Sequence, residues 1–115
     1  MVHTGTLHYL IIRYSYSEIN NNNAIIVTPD ADIKMTVIGA VFGAVGTAGQ
    51  RCTSTRRLII HESIYDKVKE ALVSAYNQLR IGNPLDQNNH VGPLIDVHAV
   101  ELYKKALEKV KAEGG

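Results

Sequence analysis

The sequence has little of several residue types that define whole classes of protein. One of its 115 residues is cysteine, so no internal disulfide can form, and no cysteines and histidines have the spacing of zinc ligands. Charges of both signs nearly cancel, with twelve Lys and Arg against eleven Asp and Glu. Electrostatic binding of nucleic acid or of an anionic membrane needs a basic stripe, so we expect neither partner, and we expect no metal.

No apolar run is long enough to cross a membrane. The longest uncharged segment, Met35 to Gln50, is interrupted by four glycines. It falls short of the roughly 20 apolar residues that a membrane span requires. The first apolar run, residues 9–12, is too short for the core of a signal peptide. We therefore expect a soluble protein in a reducing compartment, with the cytoplasm as the expected location and the mitochondrion as the alternative.

From residue 24 onwards the apolar pattern alternates between strands and helices. The run 24–27 predicts a strand buried on both faces, and 57–61 predicts a second strand. A weaker alternation predicts an edge strand within residues 8–19. Start and stop signals predict three helices, one opened by Asp30 and Asp32, one by Ser63 with Gly82 beyond its end, and one by Asp96. This order predicts an α/β fold with short buried strands and three helices.

The first predicted helix is apolar on all its faces, which predicts deep burial. Its glycines, from Gly39 to Gly49, are expected to lie within the helix. Three apolar helices are more than so small a sheet can cover, and an exposed apolar remainder indicates missing partners. We therefore expect a piece of a larger fold or an obligate subunit.

Cys52 is the strongest candidate nucleophile. It lies between the first predicted helix and a strand, and Arg51 beside it would favour the thiolate. The alternative is a free cysteine that behaves as a small apolar residue.

Glu18 is the only acidic residue before Asp30, and a carboxylate shielded from water could act as a general base. An exposed structural role is the alternative for Glu18.

Several motifs together resemble the aldehyde dehydrogenase superfamily. The most specific is AVGTAGQRCT at 44–53, and others lie at 22–26, 30–32, 56–58, 61–64, 82–84 and 91–94. The resemblance extends from about Glu18 to Gly115, whereas residues 1–17 show none. It implies a divergent N-terminal segment, 1–17, followed by part of an aldehyde dehydrogenase catalytic domain, 18–115.

The resemblance implies NAD-dependent oxidation of an aldehyde to a carboxylic acid. Cys52 would attack the aldehyde carbon to give a thiohemiacetal, and Glu18 would activate the water that hydrolyses the later thioester. In the antiquitin-like branch of the family an arginine also precedes the cysteine. Arg51 would then bind the carboxylate of α-aminoadipic or a related semialdehyde, and a helix-terminus cation is its alternative role. In the full-length family context a homo-oligomer is implied.

Two features depart from the family pattern. Glu18-Ile19-Asn20-Asn21 stands where the family usually has Glu-Leu-Gly-Gly, and Asn is the side chain that best tolerates positive φ. No glycine-rich loop follows a strand, so no cofactor-binding residue is assigned, and NAD is not distinguished from NADP.

We expect little activity from these 115 residues alone. The alternative function is a catalytically inactive fragment that acts only as a structural or interaction module.

Overall fold

A computed structural model describes residues 7–11 and 23–114 of the chain. Three strands and three helices follow one another as β1 Leu7–Ile11, β2 Ala24–Val27, α1 Ile33–Val45, β3 Arg57–His61, α2 Tyr65–Tyr76 and α3 Val97–Ala112. The predicted α/β architecture of short strands with three helices is therefore confirmed.

The three strands form one mixed sheet in which β3 is central. β2 runs parallel to β3 with Val27 opposite Ile60, and β1 runs antiparallel to β3 with Tyr9 opposite Ile59. Parallel neighbours need a crossover, and α1 supplies it between β2 and β3. β1 lies at an edge, as predicted for a strand within residues 8–19.

The core lies between one face of the sheet and the helices α1 and α2. The side chains of β3 alternate in burial: Leu58 and Ile60 are buried, and the other three residues of the strand are partly exposed. The buried apolar residues are Val27, Val37, Ala40, Leu58, Ile60, Ile64, Val68 and Leu72. Full burial of one such Val, Leu or Ile side chain stabilises the fold by about 1.5–3 kcal/mol.

Two predictions of burial were wrong. β2 is an edge strand, so Ile26 is 69% exposed and the strand is not buried on both faces. Helix α1 is not deeply buried either, because Met35, Ile38 and Phe42 are each more than half exposed. One face of α1 covers the sheet and its other faces have no partner among the described residues. This outer surface is the apolar remainder that the sequence leads us to expect.

Aspartate side chains set the start of the first and last helices. The Asp32 carboxylate accepts a hydrogen bond from the backbone N–H of Met35 at 3.0 Å. The Asp96 carboxylate accepts one from the N–H of Ala99 at 2.7 Å. Both satisfy amide groups that have no partner within the helix, and both helices begin where predicted.

Helix α2 begins and ends differently from the prediction. Ser63 does not cap it, because a short 3₁₀ turn, Glu62–Ile64, precedes the helix. The cap of that turn is His61, whose Nδ1 accepts a hydrogen bond from the N–H of Ser63 at 3.3 Å. The helix ends at Tyr76, ahead of the glycine and proline that mark the predicted stop.

Among the described helices, none combines the length and the apolar character that a membrane crossing requires. The described residues also bring together no group of three or more His, Cys, Asp or Glu side chains able to hold a metal ion.

Candidate active site around Cys52

Cys52 lies on the surface, in a tight turn between α1 and β3. The turn is Arg51-Cys52-Thr53-Ser54, and the N–H of Ser54 closes it by donating to the carbonyl of Arg51 at 3.1 Å. The Cys52 side chain is exposed. A thiol held in this way is accessible to a small molecule while its backbone is fixed on both sides.

The buried side chain of Ser54 anchors the turn. It is 1% exposed, and its hydroxyl oxygen accepts a hydrogen bond from the backbone N–H of Arg51 at 3.1 Å. Together with the backbone hydrogen bond in the opposite direction, this contact ties the two ends of the turn to each other. A serine in such a turn bonds nearby backbone in the manner common for its short polar side chain.

Loss of the Ser54 hydroxyl is expected to destabilise the protein. Ser54→Ala leaves the N–H of Arg51 without its acceptor, and we expect the free energy of unfolding to fall by about 1–2 kcal/mol. Thermal unfolding followed by circular dichroism measures the change. Thr53→Ala, at the exposed neighbouring position, is the control and should change stability by less than about 0.5 kcal/mol. Equal losses in the two variants would contradict the anchoring role.

A left-handed turn, Gly46–Gly49, precedes the cysteine turn. Thr47, Ala48 and Gly49 have φ angles of 51°, 54° and 72°. For residues with a Cβ this region costs on the order of 1 kcal/mol each, and such strain is concentrated at functional sites. The expectation that the glycines up to Gly49 lie within the helix was therefore wrong, since α1 ends at Val45.

Substitutions of Ala48 and Gly49 in this turn are expected to have different effects on the free energy of unfolding. Gly49→Ala places a Cβ about 3.1 Å from the carbonyl oxygen of Ala44 at positive φ, and we expect it to lower unfolding free energy by about 1–2 kcal/mol. Ala48→Gly relieves the same backbone strain and should not destabilise the protein. Chemical denaturation of both variants measures the difference. The left-handed geometry would be contradicted if Gly49→Ala left the free energy of unfolding unchanged. It would also be contradicted if Ala48→Gly lowered that free energy by the roughly 1 kcal/mol that this substitution costs within a helix.

Two side chains fasten this left-handed turn to its surroundings. Gln50 donates from Nε2 to the carbonyl of Thr47 at 3.0 Å, and its Oε1 accepts from the N–H of Ile95 at 2.9 Å. Arg56 donates from Nη2 to the carbonyl of Gly49 at 3.0 Å. The backbone that leads into Cys52 is thus bonded both to the residue that precedes β3 and to the segment before α3.

The Arg51 side chain folds back over the end of α1. Its guanidinium carbon lies 5.7 Å from the centroid of the Phe42 ring, within the range of a cation–π contact. No carboxylate pairs with it within residues 7–11 and 23–114. A cation with available donors therefore lies one residue from the thiol, and it also lies at the helix terminus, as its alternative role requires.

A separate apolar cavity of about 300 Å³ lies between α1, α2 and β3. Its lining includes Ala40, Leu72 and Tyr76 but not Cys52. Partial burial raises the pKa of the Tyr76 hydroxyl. The lining contains the Thr55 hydroxyl and the Lys69 amine but no thiol, so the exposed turn that contains Cys52 is the better candidate site.

The chain matches a known protein family along most of its length. The profile of the Aldehyde dehydrogenase family matches residues 12–115. The chain belongs to the aldehyde dehydrogenase family.

Curated relatives are similar along most of this aldehyde dehydrogenase chain. Alpha-aminoadipic semialdehyde dehydrogenase of Rattus norvegicus is 52% identical over 101 residues, which are 88% of this chain and 19% of the relative. Putative aldehyde dehydrogenase family 7 member A1 homolog of Caenorhabditis elegans is 55% identical over 100 residues, 85% of this chain and 19% of the relative. The chain therefore spans about a fifth of the length of these relatives.

A solved structure shows the same fold. Betaine aldehyde dehydrogenase from Staphylococcus aureus, in complex with NAD⁺, superposes with a TM-score of 0.78 at 32% identity. The match covers 80% of this chain and 18% of that chain. The strands β2 and β3 and the three helices, all within residues 12–115, are thus part of an aldehyde dehydrogenase catalytic domain.

The described residues of this aldehyde dehydrogenase contain no cradle for the pyrophosphate of NAD. A dinucleotide-binding loop is rich in glycine and joins a strand to the N-terminus of a helix. The loop between β2 and α1 contains Pro29 with Asp30 and Asp32 instead. Because carboxylates repel a pyrophosphate, these residues do not fit the cofactor, and no described residue is assigned to it.

Glu18, the candidate general base, lies outside the described residues, as do Asn20 and Asn21. Its role stays a prediction. Ser54 and Asn23 were not predicted as site residues, although both side chains form hydrogen bonds to the backbone of the cysteine turn. The signal for Ser54 was a small hydroxyl residue two positions after the cysteine.

Proposed function

We propose that Cys52 is the nucleophile of an NAD-dependent dehydrogenase that oxidises a semialdehyde to its carboxylic acid. The observation that carries the proposal is the exposed thiol in a turn fixed at both ends. The similarity to alpha-aminoadipic semialdehyde dehydrogenase of rat supports the substrate class.

Capture of the aldehyde requires a nucleophile and a donor for the negative oxygen that forms. The Cys52 thiolate attacks the carbonyl carbon, so that a C–S bond forms and the carbonyl oxygen becomes an oxyanion. Within the described residues the backbone N–H of Cys52 has no acceptor, so it can donate to that oxyanion. Thiol and donor belong to one residue, which fixes their relative position.

Oxidation and hydrolysis complete the reaction. No described residue is assigned to NAD; if bound, NAD would supply the oxidising power that converts the captured aldehyde into a thioester of Cys52. Glu18 takes a proton from the water that attacks this thioester, and the carboxylic acid leaves with regeneration of the thiolate. Aldehyde, water and oxidised cofactor are consumed, and acid, reduced cofactor and a proton are formed.

Arg51 determines the preference for a carboxylated aldehyde. A guanidinium can donate two parallel hydrogen bonds to one carboxylate, which fixes both distance and orientation. The absence of a carboxylate partner for Arg51 in the described chain supports this role, as does its place next to Cys52. The far carboxylate of α-aminoadipic semialdehyde, or of a related semialdehyde, is the group it binds.

The proposal extends to assembly and location. The exposed apolar side chains of α1, which include Ile38 and Phe42, support association with a further protein surface, and we expect a homo-oligomer. A free exposed thiol suits a reducing compartment, so the cytoplasm is the expected location and the mitochondrion the alternative.

Turnover with a six-carbon substrate tests the proposal. The protein is mixed with NAD and adipic semialdehyde, and the absorbance of the reduced nicotinamide is followed. Because the described residues contain no cradle for NAD, we expect the turnover to be low, and we expect it to be lost in Cys52→Ala. A protein without turnover, in which iodoacetamide labels Cys52 no faster than a short reference peptide, would instead be the inactive fragment that is the alternative function.

A further inference from the structure

Asn23 contacts the cysteine turn from the neighbouring strand. Its side-chain nitrogen, Nδ2, donates to the backbone carbonyl of Cys52 at 2.7 Å and to that of Ser54 at 3.2 Å. Asn23 immediately precedes β2, whereas two residues separate the end of the turn from the start of β3, which pairs with β2. One side chain therefore connects the start of β2 to the nucleophile and to the residue that anchors its turn.

The chemistry of the carboxamide matches this position. An Nδ2 group has two hydrogens, and here each one has its own backbone carbonyl. An aspartate at the same place would have no hydrogen to donate, and a serine would have one. The contact therefore requires this type of side chain as well as its size.

The main chain of Asn23 makes a second and independent pair of contacts. Its carbonyl oxygen accepts hydrogen bonds from the N–H groups of Arg56 at 3.0 Å and Arg57 at 3.1 Å. These bonds hold the start of β2 against the start of β3, and they persist whatever the side chain is. Substitution at position 23 can thus release the cysteine turn while the pairing of the strands remains.

We propose that Asn23 is a positioning residue for Cys52. This inference rests on the proposed role of Cys52 as the nucleophile. The carboxamide holds the carbonyls on either side of Thr53, so the thiol and the N–H of Cys52 keep one orientation toward the aldehyde. Attack by a nucleophile is sensitive to such placement, since an error of about 1 Å can cost roughly 100-fold in rate.

Three variants test the proposal in the full chain. Asn23→Ala removes the donor, and Asn23→Asp keeps the size of the side chain but not its hydrogens. Asn77→Ala is the matched control, at an exposed residue that follows α2. Thermal unfolding by circular dichroism establishes that each variant is folded.

Two quantities are then measured for each folded variant. The first is amide hydrogen exchange in a peptide that contains residues 51–55. The second is the rate constant for alkylation of Cys52 by iodoacetamide, with and without adipic semialdehyde. A residue with only a structural role would change the melting temperature without changing the protection that the aldehyde gives to Cys52.

For Asn23→Ala we expect faster exchange in residues 51–55 and weaker protection of Cys52, each by about tenfold, because two net hydrogen bonds are lost. The melting temperature should fall moderately relative to Asn77→Ala, because the side-chain bonds are lost while the backbone contacts of Asn23 with Arg56 and Arg57 remain. Asn23→Asp should lose more, since a carboxylate oxygen then faces two carbonyl oxygens. If Asn23→Ala does not fold, Asn23→Ser, which keeps one donor, carries the test with a smaller expected effect, and unfolding of both would overturn a role confined to the turn.

The positioning role would be overturned if Asn23→Ala folds and changes neither amide hydrogen exchange in residues 51–55 nor the protection of Cys52 by the aldehyde. Cys52 would remain the proposed nucleophile in that case. Failure of the proposed function has a different result, in which adipic semialdehyde does not protect Cys52 even in the unsubstituted chain. That result would overturn both proposals together.

Discussion

Replacement of Cys52 by alanine or serine is expected to lower the rate of aldehyde oxidation by roughly four orders of magnitude or more. Without the thiolate no bond to the carbonyl carbon can form, and the later steps have no intermediate to act on. Serine keeps the shape of the side chain, but its hydroxyl is a far weaker nucleophile than a thiolate. The rate of formation of reduced nicotinamide at saturating aldehyde measures the loss.

The single cysteine makes a chemical control available. Because Cys52 is the one cysteine in the sequence, iodoacetamide modifies no other thiol, and inactivation should follow the incorporation of one label per chain. Thr53→Ala, at the exposed residue beside it, should retain activity within about threefold of the parent. A Cys52→Ser protein that retains most of its turnover, or labelling without inactivation, would contradict covalent capture by this residue.

Arg51→Ala is expected to change substrate preference more than overall activity. Hydrogen bonds to a charged group are each worth about 1.5–3 kcal/mol, so kcat/KM for adipic semialdehyde should fall by about 10-fold to 100-fold. Hexanal has the same carbon chain without the carboxylate, and its kcat/KM should change by less than about threefold. Arg51→Lys should be intermediate, because an ammonium keeps the charge but loses the planar pair of donors.

Lys67→Ala is the matched control for Arg51, since it removes a cation from an exposed position on α2. It should leave the ratio of the two substrates unchanged. Equal losses for adipic semialdehyde and hexanal in Arg51→Ala would refute carboxylate binding. That result would favour the alternative in which Arg51 serves only as a cation at the end of α1.

The secondary structure could be predicted from the sequence because it depends on local periodicity and on local caps. The runs at 24–27 and 57–61 are the strands β2 and β3, and Asp32 and Asp96 begin α1 and α3. Burial could not be predicted in the same way. The exposure of Ile26 depends on β2 being an edge strand, which is a property of the sheet as a whole.

The left-handed turn depends on tertiary contacts and could not be predicted from local sequence. Thr47 and Ala48 carry no signal for positive φ, and Ala is the residue most favoured in helices. Only Gly49 has the freedom that this conformation requires. The three residues are held there by contacts from Gln50 and Arg56, which come from the tertiary structure rather than from local preference.

The candidate site was predictable in part for the same reasons. Cys52 and Arg51 carry distinctive chemistry, and the motif around them is similar to the family pattern. Asn23 lies 29 residues from Cys52 in the chain, and the pairing of β2 with β3 brings the two together. An asparagine in a run of four gives no sign of which one makes that contact.

Mass spectrometry of the acid-quenched reaction tests covalent capture most directly. The protein is mixed with NAD and adipic semialdehyde, stopped in acid during turnover, and digested. We expect the peptide that contains Cys52 to gain the mass of the adipyl group, and the same digest of Cys52→Ser to show no such gain. Formation of reduced nicotinamide while the Cys52 peptide keeps its unmodified mass would contradict the account.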